Sequence, residues 1–402
     1  MNYIRFISKR YLFSKSGNNA INIIVKIASF GVLIVSAAFI IVLSGFSGIR
    51  TFNLNLIKMT DPDIKITSTK GKYFKFTKEL KSFLNNDPAA KAYTKSVEEK
   101  VFVLFEKKQK IAKLQGVDSN FTKVVPLDST IIAGRMPAPA TNELLVGVSM
   151  ANDLSYMLSG NNYEVFQLLV PKPGSGLITD PRQAFQVKYF LPVGIYQTTP
   201  DHDQVYLYTS LSAAQDLLNL PSNRVSSVSI SVTQPEQITP LQKRLSQKFG
   251  KQLRIRNRKQ LNRLLYRMLN TENLMVYFIF ALILLLALFN IIGTIMMIII
   301  DKSSNMKTLR VLGLSPAEIK KIFMIQGFSM TFMSGLAGII FGLILIMIQK
   351  MWPYLYIPQT NMPYPVEFRW TNVLWVILTV IFMGGFATYV ALLKLTEKNL
   401  TA

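Results

Sequence analysis

Four long, uncharged, apolar stretches constrain this chain more than any other feature. They run Ile27–Ile49, Asn273–Ile300, Ile322–Gln349 and Trp370–Leu393. Each meets or exceeds the roughly 20 residues needed to cross a hydrocarbon core about 30 Å thick. A soluble-core helix carries a polar face on every turn, and four runs without one do not fit that description. Between the first and second runs lies a polar block, about residues 50–270, large enough for one or two folded subdomains. The predicted fold is therefore membrane α-helical, with four transmembrane helices and a large α/β extracytoplasmic domain inserted between the first and second.

Charge placement gives the orientation. Arg5, Lys9, Arg10 and Lys15 precede the first run, Lys302, Lys307, Arg310, Lys320 and Lys321 lie between the second and third, and Lys394 and Lys398 follow the fourth. The segment between the third and fourth runs holds only Lys350 and Arg369. Short loops rich in Lys and Arg stay cytoplasmic, whereas long domains translocate largely regardless of charge. Both termini and the 301–321 loop are thus expected in the cytoplasm. The formal net charge of +23 is spread over the polar block and the membrane flanks. It points to anionic lipid headgroups rather than to nucleic acid. With no cysteine in the chain, disulfides, thiolate nucleophiles and cysteine-ligated metals are excluded.

The first run is too long for a cleaved signal peptide, and no small-x-small site closes it, so it is expected to remain as an anchor. Tyr3 to Phe13 interleaves aromatic and basic residues, with Tyr3, Phe6, Ile7 and Arg10 near helical spacing. This predicts an interfacial amphipathic helix, ended by the polar break Ser14–Asn19.

Alternation predicts a strand at 63–67, and strands are also read at 97–104, 110–117, 143–147, 165–170, 186–196, 204–208 and 225–232. Helices are predicted at 74–85, 148–158, 212–220 and 237–249. The loop from Val170 to Phe185, with Pro171, Pro173, Gly174, Gly176, Leu177, Ile178, Pro181 and Arg182, reads as a protruding hairpin with φ restricted at its prolines. Composition leaves open whether it is a plain connector or a preorganised binding loop.

The loop after the second run carries the sharpest motif. Met306, Leu309 and Leu312, or Leu309 and Gly313, share a helical face, with Lys307 and Arg310 on another. Gly313 breaks this helix. Ser315, Pro316 and Glu318 then form the signature of a capping box that restarts the chain as a new helix. The apolar face of the short helix is expected to need a groove, in lipid or in a protein partner.

These residues resemble the FtsX-like/MacB-like permease family of ABC transporters, which carry an acidic-Lys pair followed by a leucine-rich segment ending in Leu-Gly-x-Ser. Asp301-Lys302 and Leu309 to Ser315 match that pattern. Within the family the chain is similar to the lipoprotein-releasing permeases (LolC/LolE type). Phe6–Leu12, Val42–Gly48, Ala287–Ile292 and Met362–Phe368 resemble their N-terminal segment, first-span end, second-span middle and outer loop. The pattern departs at Asp301, commonly Glu, and in the tail after Tyr389, which lacks the family's prolines.

The resemblance implies a periplasmic domain that contacts a soluble lipoprotein carrier, with the 171–185 loop in the place of the family's carrier-binding hook. It also implies a short helix that docks on a cytoplasmic ABC ATPase dimer through Asp301, Lys302, Met306, Lys307, Leu309, Arg310, Leu312 and Gly313. A second permease subunit, identical or paralogous, would complete the assembly in the inner membrane. An apolar lipid cavity is expected between subunits, on Ile40, Leu43, Phe46, Tyr277, Phe278 and Ala281. The corresponding boundaries are a cytoplasmic helix at 1–19, spans at 20–49, 271–300, 319–349 and 370–394, a periplasmic domain at 50–270, a coupling helix at 301–318, a periplasmic loop at 350–369 and a tail at 395–402.

No phosphate-binding loop of the Gly-x-x-x-x-Gly-Lys-Ser/Thr type is present, so no cofactor is expected in this chain. ATP and Mg belong to the partner ATPase. The single histidine, His202, lies in Asp201-His202-Asp203 and reads as a solvated polar turn, so no catalysis and no metal site are expected. The spans after the first hold no charged residue in their middles, which argues against ion coupling. Gly338 and Gly342 form a small-xxx-small face that permits close helix approach, with dimerisation as the lesser expectation. Two other functions fit the family resemblance: a MacB-like mechanotransmission permease, and an FtsX-like permease controlling a cell-wall hydrolase.

Overall fold

The computed structural model describes residues 4, 6–8, 10, 19–158, 164–172, 184–357 and 363–393. The chain divides into two compact units, one of Met1–Phe52 with Arg267–Ala402 and one of Asn53–Tyr266.

Among the described residues, three helices are long and apolar enough to cross a membrane: Asn22–Thr60, Pro316–Met351 and Trp370–Leu393. The number rises to four if Leu286–Asp301 and Asn305–Val311, bent by 60° at a short break, count as one span. The second predicted run lies inside a continuous helix, Arg263–Asp301.

Glycine decides how the apolar helices pack. A Cβ at Gly338 would lie 2.2 Å from the Leu33 carbonyl oxygen, and one at Gly342 would lie 2.3 Å from Ile40 Cγ2. Helix Pro316–Met351 therefore crosses the first helix backbone to side chain, as small residues permit. The Gly338/Gly342 face is filled within the chain, which replaces dimerisation as its explanation. A Cβ at Gly335 would lie 2.5 Å from Val380 Cγ1. Ile291, Ile295, Ile319, Phe323, Ala387 and Ala391 close one end of this bundle. Phe39, Ile40, Phe280, Ile339 and Val376 close the other.

The α/β unit is built on a ten-stranded mixed sheet. Its strands in chain order are β1 Ile64–Ser68, β3 Ala90–Phe105, β4 Lys108–Val117, β5 Ile131–Gly134, β6 Glu143–Gly147, β7 Phe166–Pro171, β8 Phe185–Tyr196, β9 Tyr206–Ser210, β11 Ser227–Val232 and β12 Leu253–Asn257. A small separate pair joins β2 Phe74–Lys75 to β10 Arg224–Val225. The order across the sheet is β12-β1-β11-β3-β4-β9-β6-β8-β5, with β7 laid between β3 and β8.

Alternation puts Ile64, Ile66, Val228, Ile230 and Ile255 on one face, where Leu80 and Leu84 of helix Lys78–Asn86 and Leu241 and Leu245 of helix Ile238–Phe249 cover them. Each such fully buried aliphatic side chain stabilises by about 1.5–3 kcal/mol. The opposite face of the same strands is polar. Ser96 and Ser227 stand in register, with their hydroxyls 2.8 Å apart.

Two predicted elements change type. The expected helix at 74–85 begins as β2, and the helix starts at Lys78, because Thr77 is extended and its hydroxyl accepts from the Leu80 N–H. The expected strand at 204–208 begins only at Tyr206. Pro200 to Val205 is instead a short helix, with Thr199 as N-cap and Pro200 in its first turn.

Candidate functional site

The predicted coupling segment is a helix, Ser303–Val311, ended by Gly313 at φ +96°. The Asp301–Lys302 pair that precedes it is an ion pair of 2.9 Å, mostly shielded from solvent. The expected capping box is present in full: Ser315 accepts from the Glu318 N–H, and Glu318 accepts from the Ser315 N–H at 2.8 Å.

The apolar face is divided, however. Met306 is buried with Ile298, Ile319 and Phe323, and Leu309 and Leu314 pack against the same cluster. Leu312 is 72% exposed and Val311 88% exposed. The groove that the short helix was expected to seek elsewhere is thus supplied by the chain itself for Met306 and Leu309. Leu312, the C-cap residue just before the left-handed Gly313, is not among the packed side chains. What remains open to a partner is the pair Val311 and Leu312.

The described residues of the N-terminal segment are helical. Ile4 and Ser8 are buried, and the Ser8 hydroxyl lies 2.7 Å from the Ile4 carbonyl oxygen and 3.1 Å from that of Ile322. The packed face is therefore Ile4/Ser8, while Phe6 points to the exterior. Tyr3 and the polar break at 14–18 lie outside the described residues.

Two segments read separately from the sequence meet in space. Gly48 faces Pro365, whose carbonyl oxygen would lie 2.2 Å from a Cβ at position 48. The Glu367 N–H donates to the Ser44 carbonyl at 3.1 Å. The Glu367 carboxylate accepts from Thr51 Oγ1 and from Arg369, at 2.5 and 2.8 Å. Asn372 donates to Ser47 Oγ at 3.0 Å. The end of the first span and the loop before the last are one structural element, a relationship that neither motif carries alone.

Of the predicted cavity residues, Ile40 is fully buried between helices of its own chain, where it fills the space left by Gly342. It presents no surface to a cavity between subunits. Leu43 and Phe46 are partly buried beside it. Phe278 is 69% exposed, on a helix face it shares with Met275, Leu282, Leu286 and Phe289. The side chains of Tyr277 and Ala281 lie outside the described residues.

The proline-rich loop springs from a regular ladder. Pro171 pairs with Phe185 at the end of β7 and β8, and the Lys172 N–H donates to the Ala184 carbonyl at 2.8 Å. The expected hairpin root is therefore present. Pro173, Gly174, Gly176, Leu177, Ile178, Pro181 and Arg182 lie outside the described residues.

His202 is not in a solvated turn. It stacks on Tyr206 with ring centroids 4.6 Å apart, and its nitrogens lie 3.2 Å from the hydroxyls of Thr198 and Tyr208. Asp203 is buried and accepts from the Thr198 N–H and hydroxyl. Burial, and then the nearby Lys113 charge, push the His202 pKa down to about 4. Burial raises that of Asp203. His202, Tyr206 and Tyr208 flank a cavity of about 380 Å³. A neutral imidazole held between hydroxyls is a satisfied polar core rather than an acid–base pair. Thr199-Pro200, an N-cap followed by a first-turn proline, was the sequence signal for this short helix.

The apolar helices thus pack into a bundle, and its third predicted run restarts at a complete capping box. Residues 277–400 match the family described as FtsX-like permease C-terminal. The chain is 26% identical over 351 residues to the lipoprotein-releasing system transmembrane protein LolC of Neisseria meningitidis serogroup B, covering 85% of this chain and 81% of the relative. It is 24% identical over 352 residues to LolE of Haemophilus influenzae, covering 86% and 82% respectively. The resemblance read from the sequence is thereby borne out. Among solved structures, the periplasmic region of MacB from Actinobacillus actinomycetemcomitans aligns with a TM-score of 0.36 at 14% identity, covering 54% of this chain and 98% of that one.

Proposed function

We propose that this chain is a permease subunit of an ABC transporter that takes lipoproteins from the outer leaflet of the bacterial inner membrane and passes them to a periplasmic carrier. The observation that carries this reading is similarity to LolC along 85% of this chain and 81% of the relative. Such similarity takes in the α/β unit as well as the membrane helices. Four spans are proposed, the second within Arg263–Asp301, with the α/β unit in the periplasm and both termini in the cytoplasm.

In this mechanism a separate ATPase dimer supplies the energy. It binds ATP and Mg, and bears on the short helix through Val311 and Leu312, flanked by Lys307, Arg310 and the Asp301–Lys302 pair. The exposed apolar face around Phe278, with Tyr277 and Ala281 nearby in sequence and Leu43 and Phe46 on the first helix, lines the path for acyl chains between two permease subunits. Exposing acyl chains to water costs about 0.8 kcal/mol per CH₂, which an apolar path avoids. The loop from Pro171 to Phe185 holds the carrier.

The test is reconstitution with labelled lipoprotein, ATPase and carrier. ATP-dependent transfer to the carrier is expected. Deletion of residues 173–182 should abolish carrier binding with ATPase assembly retained. Transfer that proceeds without ATP, or full carrier affinity after the deletion, would refute the corresponding part.

A further inference from the structure

The polar face of the sheet carries more positive charge than its own carboxylates balance. A cavity of about 520 Å³ opens on this face across β12, β1, β11, β3 and β4, within the α/β unit. Its lining includes five basic side chains, Lys65, Lys72, Lys100, Lys113 and Arg256, against two acidic ones, Glu98 and Glu99. Glu98 lies 3.5 Å from Lys65 and 3.8 Å from Lys113, shared between them. Glu99 is committed to Lys72 at 2.7 Å and to the Tyr73 hydroxyl at 2.6 Å. Among the described residues, Lys100 and Arg256 are left without a carboxylate.

The strand register sharpens the imbalance. Lys65 pairs directly with Arg256 across β1 and β12, and Lys100 pairs directly with Lys113 across β3 and β4. Like charges placed opposite one another in a sheet destabilise it, and this cavity is bounded by two such pairs. Arg256 adds a second cost. Its Nε is buried with no hydrogen-bond partner among the described residues. Buried donors are nearly always satisfied, and an orphaned one in a charged group is expensive. Ser227 and Thr67, also in the lining, add hydroxyls to the same wall.

From this geometry we infer that the α/β unit holds an anion-binding site, anchored by Arg256 and completed by Lys65, Lys100 and Lys113, that takes a phosphate ester. The planar guanidinium fork matches a phosphate's oxygens, and lysines add point charges around it. An excess of three positive charges suits a phosphate better than a single carboxylate. The volume leaves room beyond one tetrahedral anion for an organic body such as glycerol. Both a soluble phosphate ester and the headgroup of an anionic phospholipid present this chemistry.

The experiment uses the full chain in phosphatidylcholine nanodiscs. Glycerol phosphate binding is measured by calorimetry, and association with phosphatidylglycerol vesicles by co-flotation. Saturable binding is expected, weakened about tenfold or more by Arg256→Gln, as loss of a charge-assisted contact predicts. Lys100→Gln, at an exposed position, should weaken it several-fold with the thermal unfolding curve unchanged, which keeps the test valid if the Arg256 variant misfolds. Binding of glycerol phosphate assigns the site to a soluble ester. Binding of the vesicles alone, with the same dependence on Arg256 and Lys100, assigns it to a lipid headgroup. Absence of both, affinity unchanged in both variants, or preference for a polyglutamate peptide over glycerol phosphate overturns the inference.

Discussion

Gly338 sits so close to Leu33 that a single methyl group would press to 2.2 Å from the Leu33 carbonyl oxygen. The obstacle is backbone, which cannot rotate aside. Gly338→Ala should therefore destabilise the chain by at least the roughly 1–3 kcal/mol typical of overpacking. Thermal unfolding in detergent measures this. Because the partner is in the same chain, the oligomeric state of the folded fraction should be unchanged. A shift from dimer to monomer with undiminished stability would show the glycine face at work between subunits instead.

The division of the short helix into a buried and an exposed part gives a pair of contrasting variants. Met306→Asp places a charge among Ile298, Ile319 and Phe323. It should lower the yield of folded protein. Val311→Asp combined with Leu312→Asp alters only exposed side chains, so folding should persist while co-purification with the ATPase is lost. Retention of the ATPase by the double variant would remove the docking role proposed for these residues.

The capping box at the restart can be tested by itself. Ser315→Ala removes the acceptor for the Glu318 N–H and should cost about 1 kcal/mol. Ser315→Asn, which keeps a capping oxygen, should recover most of it. Equal stability of the two variants by thermal unfolding would count against the cap.

His202 sets a pH window. Its folded pKa is depressed to about 4 from an ordinary 6.5. The unfolded chain therefore takes up a proton first as the pH falls. The stability contributed by the neutral, buried ring is complete above about pH 6.5, declines between 6.5 and 4, and changes no further below. The full span corresponds to about 3 kcal/mol. His202→Asn should flatten the decline, and the difference between the two pH profiles isolates this ring from Asp203. Parallel profiles would contradict the assignment.

Local pattern carried much of the architecture. Apolar length located Ile322–Gln349 and Trp370–Leu393 inside observed helices, alternation located β1, and the short apolar run Glu143–Gly147 matched β6. β12 escaped notice although Leu253 and Ile255 alternate with arginines. Packing between elements was less legible. Ile40 looked like any apolar residue of a span until Gly342 proved to be the space it fills. Leu312 shared a helical wheel with Leu309, yet it stands at the helix C-cap, exposed and outside the packed cluster. His202 was read from its charged neighbours, whereas its surroundings come from β8 and β9, several residues away.

Seating one methionine in the bundle has a mechanical result. With Met306 wedged against Ile319 and Phe323, the short helix has no free pivot. Under the proposed mechanism, a load borne at Leu312 would pass into the root of helix Pro316–Met351 as displacement of a stiff body.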